Sequence, residues 1–396
     1  VAVGVCYPQG YRAGVAACGM KLGGAADLAL VVSNRPAAVA GVFTMNSVVA
    51  APVTVSRSQV RSGITRAIVT NSGLANACTG EGGLADAWEM VDTTATALEI
   101  PKDHVLVAST GVIGPRLPMP AITAAIGRAA AALSPDGGDD VADAIRTTDA
   151  FAKVSATQFT IGGAEVRVGG MAKGAGMIRP DMATTLAQVT TDAAASPQVL
   201  QQVLTDAMAE SFNAISVDGC TSTNDCVFLL ANGESGVAIE SPQAIAALTD
   251  AVAAVSLDLA KQVVRDGEGT TRVCTYAVSG ALDNGQADTA ARAVAENTLV
   301  KCALHGADPN WGRMLAALGA SGVELDPGRI AVAVGGVGIV SGGIGVERSE
   351  GPAREAFSHP DVAVSIDLGL GGAGNARVIA SDLTPDYVHF NAGVTS

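Results

Sequence analysis

The apolar positions of this chain change period repeatedly, and each change marks an expected element. Between 26 and 56, ADLALVVSNRPAAVAGVFTMNSVVAAPVTVS reads as successive short strands, broken at the Asn34-Arg35-Pro36 turn and at the polar Thr44-Met45-Asn46-Ser47. TRAIVTNSG, 65 to 73, is another strand, running into a turn signal at Asn71-Ser72-Gly73. The glycine-rich CTGEGG, 78 to 83, reads as a loop leading into a helix that extends toward Leu98. HVLVASTGVIG, 104 to 114, repeats the layout of a strand followed by a hydroxyl and glycine turn. The alanine-rich PAITAAIGRAAAALS predicts a helix, and ADAIRTTD, 142 to 149, a short helix or turn that delivers Thr147 and Thr148. EVRVGGMAKG, 165 to 174, alternates as a strand does.

The second half carries sharper helix starts. Ser196-Pro197 and Ser241-Pro242 are cap-plus-proline signals, and Leu200, Val203, Leu204 and Ala207 share one helical face. The helix after Ser241 is expected to run to Asp266. RVCTYAVSGAL returns to strand from 272; a helix follows from Asn284 toward Val300, and another after DPNWGR. RIAVAVGGVGIV, VAVSIDLGL and NARVIASDL read as strands beyond it. A boundary near 275 to 282 divides the chain into a larger unit, 1–278, and a C-terminal α/β unit, 279–396. The expected fold class is α/β of the layered α+β kind, with stacked sheets flanked by helices in the larger unit. Neither GxGxxG nor GxxxxGK[ST] stands between a strand and a helix, so a nucleotide-binding sheet is disfavoured.

Composition narrows the function classes. Hydrophobic residues make up 48% of the 396 positions but aromatics only 3%, so the core must be built from closely spaced Val, Ala, Leu and Ile. Lys and Arg number 24 against 38 Asp and Glu, a formal net charge of −14, which argues against nucleic acid or an anionic membrane as partner. No uninterrupted run of about 18 apolar residues suggests a membrane span, and the first residues lack a basic start and a long apolar core of a signal peptide. Seven cysteines at wide spacing fit reduced thiols and a cytoplasmic setting. The four histidines form no HExxH, no CxxC pair is present, and no metal or other cofactor is expected.

The candidate chemistry lies in KGAGMIRPDMATTLAQVTTD, 173 to 192. A threonine hydroxyl is a poor nucleophile without a base. Its own α-amine, with a reference pKa of about 7.7–8.0, is such a base once the preceding peptide bond has been cut. Attack of the Thr184 hydroxyl on the Ala183 carbonyl would give an ester by N-to-O acyl shift, and water would release the new amino terminus. The residues alone leave two readings open: this self-cleavage, or a Gly- and Pro-rich loop entering a strand whose threonines are β-formers.

NSGLANACTG (71–80), ASTGVIG (108–114), TTD (147–149), MAKGAGMIRPDMATTL (171–186), FNAISVDGCTSTND (212–225), DGEG (266–269) and GADPNWGR (306–313) stand in order along nearly the whole chain. In them the sequence resembles the glutamate N-acetyltransferase family of arginine biosynthesis, also called ornithine acetyltransferase. The resemblance implies a cut between Ala183 and Thr184, Thr184 as the acetyl-accepting nucleophile, and an oxyanion hole from Thr110 and Gly111. It further implies that Thr147, Lys173, Glu268, Asn391 and Ser396 contact substrate, with Glu268 meeting the amine end of ornithine. The implied substrates are N-acetyl-L-ornithine and L-glutamate, and the implied assembly is two 1–183 fragments with two 184–396 fragments. Members divide over whether acetyl-CoA is also a donor, and no CoA motif decides that here. Thr185 stands where relatives commonly carry an apolar residue, Asp181 where many have Asn, and the ending NAGVTS lacks the usual aromatic.

Asn71, Asn76 and the Thr221 to Asp225 stretch are expected to support the site by hydrogen bonding, and Trp311 to pack at a buried junction. Cys220 and Cys226 are expected to be packed thiols. Two other activities compete with acetyl transfer: an N-terminal-nucleophile amidase or aminopeptidase passing its acyl group to water, and a non-catalytic ornithine-binding protein.

Overall fold

The computed structural model describes residues 4–179, 185–347 and 349–393. Its strands form two sheets. The first is eight-stranded and contains β1 (Tyr11–Ala16), β2 (Leu28–Phe43), β3 (Ile64–Leu74), β4 (Val105–Val112), β5 (Lys153–Ile161), β6 (Ala164–Lys173) and β7 (Leu186–Thr191). The two-residue β8 (Ile215–Ser216) goes to the other sheet, and β9 (Cys226–Ala231) completes the first in the order β4-β3-β2-β9-β7-β6-β5, with β1 on β2.

β2 determines the shape of this sheet. The stretch expected as short strands around an N-R-P turn is one sixteen-residue strand. Its register shifts between Val32 and Ala37, where Asn34, Arg35 and Pro36 are exposed. Proline has no N–H to give a ladder, so the segment bulges rather than reverses. Before the bulge β2 pairs with β1 and β3; after it, Ala37 and Ala38 still face β3 while the strand from Ala38 to Phe43 pairs with β9. The sheet thereby doubles over: Ile68 and Leu106 of one half meet Leu186, Phe228 and Leu230 of the other in a single buried cluster. Gln188 Nε2 donates to Thr70 Oγ1 at 3.1 Å across the two halves, and the Tyr11 hydroxyl reaches the carbonyls of Thr191 and Leu230, each at 3.1 Å.

Helices cover both outer faces. APVTVS, expected as strand, opens α1 (Ala51–Gln59), since Pro52 occupies the first turn and Val53, Ser56 and Gln59 recur at helical spacing on its buried side. The Ser56 hydroxyl donates to the Val107 carbonyl at 2.6 Å and accepts from the Val107 amide at 2.8 Å, so α1 satisfies and covers the edge strand β4. CTGEGG contributes the first turn of α2 (Gly80–Leu98) instead of a preceding loop. A Cβ at Gly83 would lie 1.8 Å from Thr79 Oγ1, and Asn76 Nδ2 donates to the Gly83 carbonyl, so the glycine admits a close approach. With α3 (Met119–Ala131), α2 packs on Leu28, Leu30, Val69 and Val107. The short α4 (Gly138–Ala144) ends just before Thr147.

The other face carries α5 (Pro197–Ala209) and α6 (Pro242–Arg265), each begun by a serine hydroxyl accepting a backbone N–H as its sequence signal predicts. α6 has the length and apolarity of a membrane span. Its stripe of Leu248, Val252, Val255, Leu259 and Val263 is buried in the core shared with Val168, Val189 and Leu229, as in a core helix of a folded protein. The result is helix, sheet, sheet, helix, which is the layered α/β class expected.

The second sheet comprises β10 (Val273–Ala281), β11 (Ala331–Val334), β12 (Val337–Ser341), β13 (Ile344–Gly345), β14 (Asp361–Asp367) and β15 (Gly374–Ser381), with β8 at its edge. The helix expected from Asn284 toward Val300 is two, α7 (Asn284–Ala295) and α8 (Thr298–His305), because the Asn297 side chain accepts from the Leu299 and Val300 amides and starts a new one. α9 (Trp311–Gly319) and α10 (Glu350–Phe357) complete its cover, and α11 (Pro385–Gly393) follows β15. Trp311 is 40% exposed, so the expectation of a buried junction fails; its indole lies against Gly345 on an open surface.

Phe357 is fully buried in the apolar core of the second sheet, where its loss would leave a cavity. Phe357→Ala is expected to lose about 3–5 kcal/mol, read as a lowered denaturant midpoint against the parent protein.

Candidate active site

The parallel strands β3 and β4 end side by side, Gly73 against Gly111. Gly111 has φ +128°, and a Cβ there would lie 2.2 Å from the Gly73 carbonyl carbon, so no other residue fits without moving the strand ends. The tight end leaves Thr110 facing a cavity of about 380 Å³. On the opposite wall β6 ends at Lys173, paired across the ladder with Leu186. The Thr185 hydroxyl donates to the Lys173 carbonyl, and the Thr185 carbonyl accepts from the Cys226 amide at 3.1 Å. Residue 185 is therefore fixed from both sides at the cavity wall.

Lys173 is only 9% exposed and sits among hydroxyls. Its ammonium donates to Thr147 Oγ1 at 2.7 Å and Thr110 Oγ1 at 3.3 Å, and lies 3.9 Å from Asp149. Burial lowers its pKa against the opposing pull of Asp149. Asp149 is the anchor: its carboxylate accepts from the Gly174 amide at 2.6 Å, the Thr147 amide at 3.0 Å and Lys153 Nζ at 2.7 Å. Burial alone would raise that carboxyl; the Lys173 and Lys153 charges and the hydrogen bonds outweigh it and hold the pKa well below the usual carboxylate range. Lys153, with no exposure, also pairs with Asp266 at 2.6 Å. That second pair ties the cluster to the start of the DGEG loop, which carries Glu268.

The far wall is closed by two contacts with α11. Asn391 Nδ2 donates to Glu268 Oε2 at 2.8 Å, and the Tyr387 hydroxyl to Asp218 at 3.4 Å. Asp218 also accepts from the amides of Met177, Ile178 and Cys220 at 2.7, 2.9 and 3.0 Å, pinning the backbone that leads toward residue 180. Asp225 lines the cavity near Thr185; burial raises its carboxyl well above the usual range, and its Oδ2 has no partner among the described residues. Behind the strand ends, Asn224 Nδ2 donates to the Ala75 and Ser109 carbonyls, while Asn71 accepts from the Ser109 hydroxyl and donates to the Leu74 carbonyl.

Thr110, Gly111, Thr147, Lys173, Glu268 and Asn391, dispersed in sequence, thus line one cavity. Ala183, Thr184 and Ser396 lie outside the described residues. Cys226 is buried, but Cys220 is exposed on the cavity wall, since its turn faces the opening instead of the core. Sequence reasoning quoted the motifs that contain Asp149, Asp266, Asp218 and Asp225 without singling out those carboxylates. Lys153 and Tyr387 had no signal at all, because each reaches the site from a separate element.

A sheet doubled between helix layers, with a strand-end hydroxyl and a buried ammonium converging on one cavity, defines a layered α/β protein with an enzyme-like cleft. The ArgJ family model matches residues 12–396, and the chain belongs to that family. It is thereby an acyltransferase enzyme of arginine biosynthesis. It is 48% identical to the arginine biosynthesis bifunctional protein ArgJ of Symbiobacterium thermophilum, over 99% of this chain and 98% of that one. The protein of the same name from Thermobifida fusca is 43% identical, over 99% and 100%. The solved structure of arginine biosynthesis bifunctional protein argJ from Bacillus halodurans is 36% identical at a TM-score of 0.50, covering 52% of this chain and 97% of that chain.

Lys153→Met removes one side of two buried ion pairs and is expected to cost about 3–5 kcal/mol, measured by denaturant unfolding. Because the Asp149 pKa is depressed in the folded state, its stabilisation is present at neutral pH and lost as pH falls through the acid range below the usual carboxylate value. The variant is expected to lose stability at a higher pH than the parent on acid titration.

Proposed function

We propose that this enzyme transfers acetyl from N-acetyl-L-ornithine to L-glutamate through an acetyl ester on Thr184. The chain first cuts itself between Ala183 and Thr184, and the freed α-amine of Thr184 then serves as base for its own hydroxyl. The hydroxyl oxygen bonds to the acetyl carbonyl carbon while its proton passes to that amine. Collapse of the tetrahedral intermediate breaks the bond to the ornithine nitrogen, which leaves carrying the proton. The glutamate amine then attacks the ester, the threonine oxygen leaves and is reprotonated, and N-acetyl-L-glutamate departs. Thr110 and Gly111 donate to the oxyanion; Thr147, Lys173 and Asn391 with Ser396 hold the amino-acid part, and Glu268 meets the ornithine side-chain amine.

The observation that carries this reading is the convergence of Thr110, Gly111, Thr147, Lys173, Glu268 and Asn391 on one cavity whose wall includes Thr185, the neighbour of the nucleophile, in a chain of the ArgJ family. The solved relative from Bacillus halodurans corresponds over 97% of its length to about half of this polypeptide, as one product of a central cut would. Two 1–183 and two 184–396 fragments are the proposed assembly. The word bifunctional in the relatives' names supports acetyl-CoA as a second donor for glutamate acetylation.

Intact-mass analysis tests the cut. The parent is expected to give fragments 1–183 and 184–396, and Thr184→Ala a single uncut chain with no acetyl exchange; normal fragments from that variant would overturn the assignment. Glu268→Gln is expected to raise KM for N-acetyl-L-ornithine at least about tenfold, as a lost charge-assisted contact does, and to leave an analogue with a neutral side chain little changed. Formation of N-acetyl-L-glutamate from acetyl-CoA and glutamate distinguishes the wider activity, whereas rapid acetate release without glutamate would favour an amidase.

A further inference from the structure

We infer that the Lys173 ammonium acts through Thr110, turning that hydroxyl's proton into the cavity and polarising it as the oxyanion donor, in addition to any contact with a substrate carboxylate. The inference rests on the acetyl-transfer reading above and concerns how its oxyanion donor is prepared.

Lysine is a donor only, with three N–H bonds to give. Two are directed at the hydroxyl oxygens of Thr147, at 2.7 Å, and Thr110, at 3.3 Å; the Asp149 carboxylate lies 3.9 Å from the same nitrogen. Thr110 Oγ1 therefore accepts from a cation, and its single proton must point elsewhere. No acceptor among the described residues takes that proton, and Thr110 lines the cavity. A hydroxyl that accepts a charge-assisted bond becomes a stronger donor in its turn. Gly111, held in its left-handed conformation by the closeness of Gly73, keeps the Thr110 backbone from drifting out of reach.

The surroundings keep the ammonium in this role. Lys153 on β5, fully buried and paired with Asp149, holds that carboxylate ionised and in place, so it orients Lys173 without taking its proton. The other charged groups acting on Lys173 are Asp225, on the segment entering β9, and Glu268, after α6; Lys21 also lines the cavity. Lys173 lines the cavity, yet it is only 9% exposed and its ammonium is already shared between two hydroxyls. Lys173 is thus a positioning residue for Thr110, and its loss should be felt where negative charge develops.

A double-mutant cycle on the full-length, self-processed enzyme tests this, with acetyl exchange between N-acetyl-L-ornithine and glutamate as the assay. Thr110→Ala is expected to lower kcat about 10²–10³-fold, the usual loss for one oxyanion donor. Lys173→Gln should lower kcat by a comparable factor, over and above the rise in KM from its lost substrate contact, and in kcat the double variant should be no more than about threefold worse than Thr110→Ala, as coupled residues behave. Lys173→Arg should restore part of the lost kcat. In the parent, kcat should fall on the alkaline side as the ammonium deprotonates, and this fall should be absent from Thr110→Ala. Where a variant cuts slowly, the same cycle is read on the rate of fragment appearance by intact mass. Raised KM at unchanged kcat for Lys173→Gln, or multiplicative losses in the double variant, would overturn the inference. A parent enzyme without acetyl exchange would instead reject the acetyl-transfer reading itself.

Discussion

The Asp149 carboxylate is the constraint around which the site is assembled. A buried carboxylate is costly unless charges and hydrogen bonds surround it. Asp149 meets that demand with the amides of Thr147 and Gly174 and the ammonium of Lys153, with Lys173 close by. Each partner comes from a different place: the turn after α4, the end of β6 and the start of β5. Satisfying one charge therefore sets the positions of Thr147 and Lys173 together, before any substrate is present.

The doubled sheet makes this convergence possible. β3 and β4 bring Thr110 and Gly111 on one half; β6 and β7 bring Lys173 and Thr185 on the other. The bulge in β2 faces the halves toward each other, and the apolar cluster around Ile68, Leu106, Phe228 and Leu230 holds them there. Near its rim, Asn224 reaches from the segment before β9 to the carbonyls of Ala75 and Ser109 on the opposite half. The spacing between Thr110 and Gly111 at the end of β4 and residue 185 is accordingly a property of the core, not of a loop.

Local signals in the sequence were legible where one residue performs one local task. Ser196 and Ser241 cap their helices, and the strand of ASTGVIG lies where alternation places it, although Ser109, Thr110 and Gly111, expected as a turn, continue that strand to Val112. Long-range tasks were not legible. Pro36 reads as a turn in isolation, yet pairing on both sides of it makes a continuous bent strand. Pro52 with alternating valines reads as strand, yet Ser56 docks the segment as a helix on an edge. Lys153 is indistinguishable in sequence from a solvated lysine, because its burial depends on Asp149 and on Asp266, far along the chain. The candidate cavity residues came from a family resemblance spread across the chain, since no spacing rule links Thr110 to Lys173 or Glu268.

The site has chemically distinct poles. Around Thr110, Thr147 and Lys173 it offers donors backed by a positive charge, suited to a carbonyl oxygen and a carboxylate. Glu268 with Asn391 offers an acceptor already engaged by an amide donor. In the proposed reaction the two substrates share an α-carboxylate but differ at the side chain, which ends in an ammonium in ornithine and a carboxylate in glutamate. A lone glutamate at that pole would repel the second substrate. Pairing it with an amide gives the pole a donor as well as an acceptor, so that α11, which carries Asn391 and Tyr387, bears directly on which amino acid the second half-reaction admits.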